Sequence, residues 1–152
     1  MKLFLDTNAL LDLVLGRTFG GEAMRGLVSA AHAGNCTLTT ASLSLKDLSY
    51  VIVESPMAKT LMPSRPQRAK AAADARELVF DTCEICDVDE LICRRAHANH
   101  EEPDYDGALI AECALVNGAD VLVSRDKKAF NWLEIPKLSP VDALKLVRAA
   151  SR

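Results

Sequence analysis

Residues 2–15, KLFLDTNALLDLVL, carry two periodicities back to back. Residues 2–6 (KLFLD) are a short apolar run that stops at a carboxylate, Asp6. From Asn8 to Leu15 the spacing changes, and Leu10, Leu11, Val14 and Leu15 recur as they do on one face of a helix. A buried strand therefore runs into a helix, with an acid at the join.

The alternation continues along the chain. Gly16 to Gly21 reads as a loop, and Glu22 to Ala33 as a helix stopped by Gly34-Asn35. Cys36 to Thr40 is a strand. Ser42 or Ser44 caps a helix running to about Ser55, before Pro56. Residues 57–70 hold a helix end, a loop and a new helix start, and that helix reaches about Val79. Residues 83–88 look extended. Asp89 caps a helix through His100, and Glu101-Glu102-Pro103 is a turn. Asp104 caps a helix that ends near Asn117-Gly118. Val121 to Ser124 is a strand, Lys127 to Trp132 a short helix and Pro136 to Leu138 a minor strand. Pro140, after Ser139, opens the last helix. Strands alternating with helices predict an α/β fold of three layers (α/β/α), with a central, mostly parallel sheet flanked by helices. No repeat, linker or low-complexity run divides the chain, so 1–152 reads as a single domain.

Composition narrows the function. With 49% hydrophobic and 26% charged residues, the chain is a folded globular domain rather than a disordered one. A formal net charge of −3 excludes a polybasic tail-like binder. No stretch approaches the roughly 20 apolar residues of a membrane span, and no cleavable leader is evident, so a cytoplasmic protein without a membrane partner is expected. The five cysteines fit a reducing compartment. Cys83 and Cys86 form a lone C-x-x-C with no second half-site and read as small core residues, not a zinc or redox centre. Leu61 and Met62 also read as core, with a partner contact as the alternative.

Ligands of open parallel sheets bind beyond the carboxyl ends of the strands. The first strand ends at Asp6, and the second leads into Asp47. The last main strand leads through Ser124-Arg125 to Asp126, and the helix before it brings Asp104 and Asp106. Four segments thus deliver acids to one sheet edge. Clustered carboxylates repel, and a cation offsets that cost. An all-oxygen set without histidine suits Mg²⁺ or Mn²⁺ and points to hydrolysis of a phosphate ester. With those five acids set aside, bases outnumber the remaining acids by two. The net charge describes a site more than a surface.

LFLDTNALLDL (3–13), ASLSLKDLSYVI (41–52) and DYDGALIAECALVNGADVLVSRDKKAF (104–130) resemble the three signature blocks of PIN-domain ribonucleases, and within them the bacterial VapC-toxin-like group. The ending IPKLSPVDAL (135–144) resembles that group too. The resemblance implies a PIN-like fold and a Mg²⁺- or Mn²⁺-dependent endoribonuclease acting on RNA. It also implies a homodimer and an antitoxin that blocks the groove. It makes Asp6 the first metal-binding acid, positioned by Asn8 and Ser124. Asp47 and Asp126 fall on the second and fourth acids. The third acid of the family falls on Gly107, which has no side chain to bind metal. Asp104 matches an acid found just upstream in similar proteins, and Asp106 adjoins it. Asp6, Asp47, Asp104 and Asp126 are therefore the expected catalytic set, with Asp6, Asp104, Asp106 and Asp126 on the metal. Gly107 also opens an alternative, a weakened domain that binds RNA or protein without cutting. The expected RNA contacts are Lys59, Arg65, Arg68 and Lys70 in the basic stretch 57–70, together with Arg125. A haloacid-dehalogenase-type phosphatase fits less well, since it needs a second Asp where this chain has Asn8.

Overall fold

The computed structural model describes all 152 residues. β1 (Lys2–Leu5) lies at the centre of a five-stranded sheet. It pairs in parallel with β2 (Thr37–Ala41) on one side and β4 (Val121–Val123) on the other. β3 (Glu84–Cys86) extends the β2 side and β5 (Lys137–Leu138) the β4 side, also in parallel. The order is β3-β2-β1-β4-β5. The chain builds outward from β1 to β3, then returns to the other side of β1. This reversal opens a crevice at the carboxyl ends of β1 and β4. Register aligns that edge, because Leu5 lies opposite both Thr40 and Val123.

Alternate residues of a strand face opposite layers. Leu3 and Leu5 enter a core with α1 (Thr7–Leu15), α2 (Gly21–His32), α3 (Ser42–Glu54), α5 (Arg65–Thr82) and α8 (Pro140–Ala150). Phe4 and Leu122 enter a second core with α6 (Glu90–Ala98) and α7 (Tyr105–Val116). The short α4 (Pro56–Leu61) bridges α3 and α5. These are the three layers that the alternation predicts. Residues Ala108 to Ala114 of α7 are all buried, so the helix runs through the protein rather than along its surface. Gly34 and Gly118, each at positive φ, turn the chain after α2 and α7.

Several local expectations are corrected. Neither Ser42 nor Ser44 caps α3; the cap is Ala41 and makes no side-chain bond. Ser42 accepts the Val88 N–H instead, and Ser44 is buried against the Thr7 hydroxyl. Residues 83–88 are not one strand, because α5 runs on to Thr82 and Cys83 is its cap. All five thiols are free, and burial pushes Cys83 up to about 11, so it is an inert core group. Leu61 is exposed rather than core, whereas Met62 packs against the core. Residues 127–132 form turns, not a helix. There, side chains replace the helical ladder: Asp126 accepts from the N–H groups of Lys128 and Ala129, and Lys137 Nζ donates to the Asp126 and Ala129 carbonyls. Phe130 is held at φ 66, in the left-handed region. No helix is long and apolar enough to cross a membrane.

Candidate metal and nuclease site

The crevice beyond β1 and β4 holds a cleft of about 210 Å³. Asp6, Asp47, Asp104, Asp106 and Asp126 all line it, together with Gly107. The four segments that carry acids in the sequence therefore do meet at one place.

Asp6 is buried, and both its oxygens are engaged. Oδ1 caps α1 by accepting the Thr7 N–H at 2.7 Å. Oδ2 accepts from Asn8 Nδ2 and Ser124 Oγ, each at 2.8 Å. Asn8 Oδ1 accepts the Arg125 N–H, and Ser124 Oγ accepts the Asp126 N–H, so the start of α1 is laced to the end of β4. Asp104 caps α7 through Gly107 N–H at 2.6 Å. Asp106 stands in the first turn of that helix and is exposed. Asp47, in α3, has Lys46 Nζ at 3.5 Å.

Burial drives the Asp6 carboxyl above its usual range, and the Asp126 and Glu102 charges add to this, against the hydrogen bonds from Ser124 and Thr7. Asp126 moves the other way, lowered by the Ala129 and Lys128 N–H groups. One acid of the cleft thus favours its proton while another sheds it. For Asp6 the raised value means that its contribution to metal-free stability is fully present below 3.8 and is lost as pH rises through its folded-state value. Asp6→Asn removes this titration. In chelator, urea denaturation should show the wild type losing ground to the variant as pH rises above the ordinary carboxylate value of 3.8, a direction set by linkage. A difference that is flat with pH, or that moves in the wild type's favour, would contradict the raised value.

Sequence reasoning missed one residue here. Glu102, read as part of a turn, is 8% exposed and stands close enough for its charge to act on Asp6. Asn99 Oδ1 accepts the Glu101 and Glu102 N–H groups and fixes the loop. Glu102 Oε2 accepts from Phe130 N–H at 2.9 Å and Trp132 Nε1 at 2.6 Å. Its Oε1 is buried with no hydrogen-bond partner. That oxygen lies 2.7 Å from where a Cβ on Gly107 would stand. An acid two residues before a capping Asp was the available signal, but nothing in the sequence separates Glu102 from its neighbour Glu101.

The basic residues are arranged differently from the expectation. Arg68 is buried, and its guanidinium donates to the carbonyls of Val53, Met62 and Pro63, so it ties α5 to the segment before it and offers no cation to a phosphate. Arg125 makes a forked bond to the fully buried Asp12, with Nη2 at 2.7 Å from Oδ1. Lys59 and Arg65 remain on the surface, and both pair with Glu54. Lys70 pairs with Asp74.

All the donors around the cleft are oxygens, which suits Mg²⁺ or Mn²⁺ better than a softer metal. As the side chains stand, no three Asp, Glu, His or Cys residues are gathered closely enough to hold a metal ion. The five aspartates line the cleft without closing on one point, so an ion there would keep several waters, and the unpartnered Glu102 oxygen lies nearby, next to position 107. An open parallel α/β sheet with carboxylates gathered at its topological switch places an acidic, oxygen-lined crevice where ligands of such folds bind.

Residues 2–128 match the family model of the PIN domain. The chain belongs to the PIN domain family, whose members are generally nucleases that use divalent metals. Three solved structures share the fold. VapBC2 from Rickettsia felis, bound to a DNA fragment of its promoter, is 17% identical with a TM-score of 0.64, covering 91% of this chain and 98% of that one. A Pyrobaculum aerophilum protein is 16% identical with a TM-score of 0.65, covering 98% and 96%. A toxin–antitoxin complex from Klebsiella pneumoniae is 16% identical with a TM-score of 0.59, covering 91% and 97%. No curated protein matches the chain.

Proposed function

We propose that this PIN domain is a Mg²⁺- or Mn²⁺-dependent endoribonuclease and the toxin of a toxin–antitoxin pair, acting in the cytoplasm as a homodimer. The observation that carries the reading is the meeting of five aspartates from four segments in one cleft at the switch point of the sheet. When bound, a divalent cation supplies positive charge against the scissile phosphodiester and acidity to activate water. Asp6, Asp104, Asp106 and Asp126 would hold it, with Asp47 on the facing wall. Asn8 and Ser124 fix the Asp6 carboxylate so that its oxygens need no rearrangement.

Of the expected RNA contacts, Lys59, Arg65 and Lys70 are left to bring an RNA backbone to the cleft, once Arg68 is buried and Arg125 is committed to its pair with Asp12. Their pairing with Glu54 and Asp74 is exposed and exchangeable. The similarity to toxin–antitoxin complexes supports an antitoxin as the protein partner. The test is incubation of the purified chain with a panel of single-stranded RNAs over a Mg²⁺ and Mn²⁺ series. Cleavage that chelator stops is expected. No cleavage of any RNA with either metal would sink the reading.

A further inference from the structure

Gly107 falls where the resemblance of 104–130 to the family's signature block implies an acid, and it leaves the α7 side of the cleft without a side chain at that place. The space is not empty. Glu102 reaches in from the loop before α7, and its Oε1 lies 2.7 Å from the position a Cβ at 107 would take; its Cγ lies at 3.0 Å. Any larger residue at 107 would collide with this carboxylate. The neighbouring Asp104 Oδ1 lies 3.1 Å from the same point, so the Glu102 oxygen borders the acids that line the cleft.

Three further observations bear on what this carboxylate is for. Glu102 is more than nine-tenths buried, and its Oε1 has no donor within reach. A buried carboxylate oxygen without a partner is costly and calls for a cation or a donor. Its other oxygen is fixed by two donors from the 127–132 turns, Phe130 N–H and Trp132 Nε1, which leave Oε1 pointing toward Gly107. One of those donors is the N–H of the residue held at positive φ, so the backbone there is bent in concert with holding Glu102.

We infer that Glu102 supplies the missing third carboxylate of the metal centre from the preceding loop, and that Gly107 is the residue that makes room for it. This rests on the metal-dependent reading above. The glycine is then half of an exchange and not a sign of decay: an acid has moved from the helix to the loop, and the helix has lost its side chain to admit it.

The test is metal binding itself, read by electron paramagnetic resonance of free Mn²⁺ in titrations of the purified chain without RNA. Glu102→Gln keeps the shape and an acceptor for Phe130 and Trp132 but removes the charge. It should weaken Mn²⁺ binding on the order of 10-fold or more, in line with losses at groups that hold or support metal ligands. Gly107→Ala should weaken it as well, because the new Cβ displaces the Glu102 carboxylate. Alanine favours a helix over glycine, so a loss of affinity there cannot be put down to unfolding of α7. Gly107→Asp should fail to tighten binding in the native chain, yet should restore it when combined with Glu102→Ala.

The inference is overturned if both Glu102→Gln and Gly107→Ala bind Mn²⁺ within twofold of the wild type. It is equally overturned if Gly107→Asp alone tightens binding several-fold, which would show a real vacancy at 107. A wild-type chain that binds no Mn²⁺ at all would overturn the metal reading and this inference with it. Wild-type binding that survives Glu102→Gln and Gly107→Ala would overturn the inference alone.

Discussion

Asp6→Asn protein is expected to cut RNA at least about 100-fold more slowly than the wild type at saturating Mn²⁺. Supporting groups around metal ligands already cost 10–100-fold when removed, and Asp6 is the acid they support here. Its two oxygens are oriented by Thr7, Asn8 and Ser124, so the charge lost is one already held in place. Asparagine nearly preserves the shape. It presents one amide oxygen and sets an NH₂ against Asn8 or Ser124, which costs local hydrogen bonding but leaves the core untouched. Burial raises Asp6 in the native chain, so removing its ionisation should not harm metal-free stability at neutral pH. The variant should therefore be folded and inactive. The measurement is single-turnover cleavage of one RNA substrate, with a thermal melt of each protein in chelator. An Asp6→Asn enzyme that cleaves at the wild-type rate would remove Asp6 from the chemistry.

The largest effect on stability is expected at Arg125, which the sequence offers as an RNA contact. Its guanidinium is forked onto Asp12, a carboxylate in α1 with no solvent exposure. Removing one partner of a buried pair strands the other charge, at about 3–5 kcal/mol. The Arg125 side chain is 30% exposed, so the lower end applies, about 3 kcal/mol. For a domain of this size each kcal/mol moves Tm by about 2–4 °C, which gives a fall of roughly 6–12 °C for Arg125→Met. Pairing it with Asp12→Leu should recover most of the loss, since an apolar pair removes the stranded charge. Arg125→Lys distinguishes the two roles. Lysine keeps the charge that a phosphate would feel but not the fork that Asp12 receives. A melt of Arg125→Met within 1 °C of the wild type would mean that the pair contributes nothing. The surroundings are built for this contact, because a Cβ on Gly20 would run into the Asp12 carboxylate.

The strand and helix pattern was legible because most elements bury one face, and burial imposes a period that the residues must follow. α2, α3, α6 and α8 are of this kind, whereas β1 and α7 are buried on all sides and were legible as apolar runs bounded by polar residues. The caps Asp89, Asp104 and Ser139 were legible because each helix start leaves N–H groups that a short polar side chain satisfies. What the sequence does not carry is the choice between a local partner and a distant one. Ser44 has the chemistry of a cap but spends its hydroxyl on Thr7, 37 positions away. Residues 127–132 have helical residue types, but Asp126, Lys137 and Glu102 claim their backbone groups first. Arg68 and Arg125 look like any surface cations until packing buries them or their partners. Asp6, Asp104, Asp106 and Asp126 were legible because they follow strand ends or open a helix, and Asp47 because it lies about one turn into the helix that β2 leads into. Glu102 does neither, and only the packed loop brings it in.

The bond between Trp132 and Glu102 gives the protein a built-in optical probe. Trp132 is the only tryptophan in the chain, and its indole N–H is tied to the carboxylate that borders the cleft. Its emission is therefore a single-site signal. It can be followed continuously in the unlabelled protein, in stopped flow or in dilute solution, while ions, nucleic acid or a partner chain are added. Quenching by Mn²⁺ but not by Mg²⁺ would place a paramagnetic ion near the ring. A blue shift on adding a partner would report exclusion of water from this corner of the fold, separately from any measure of RNA cutting.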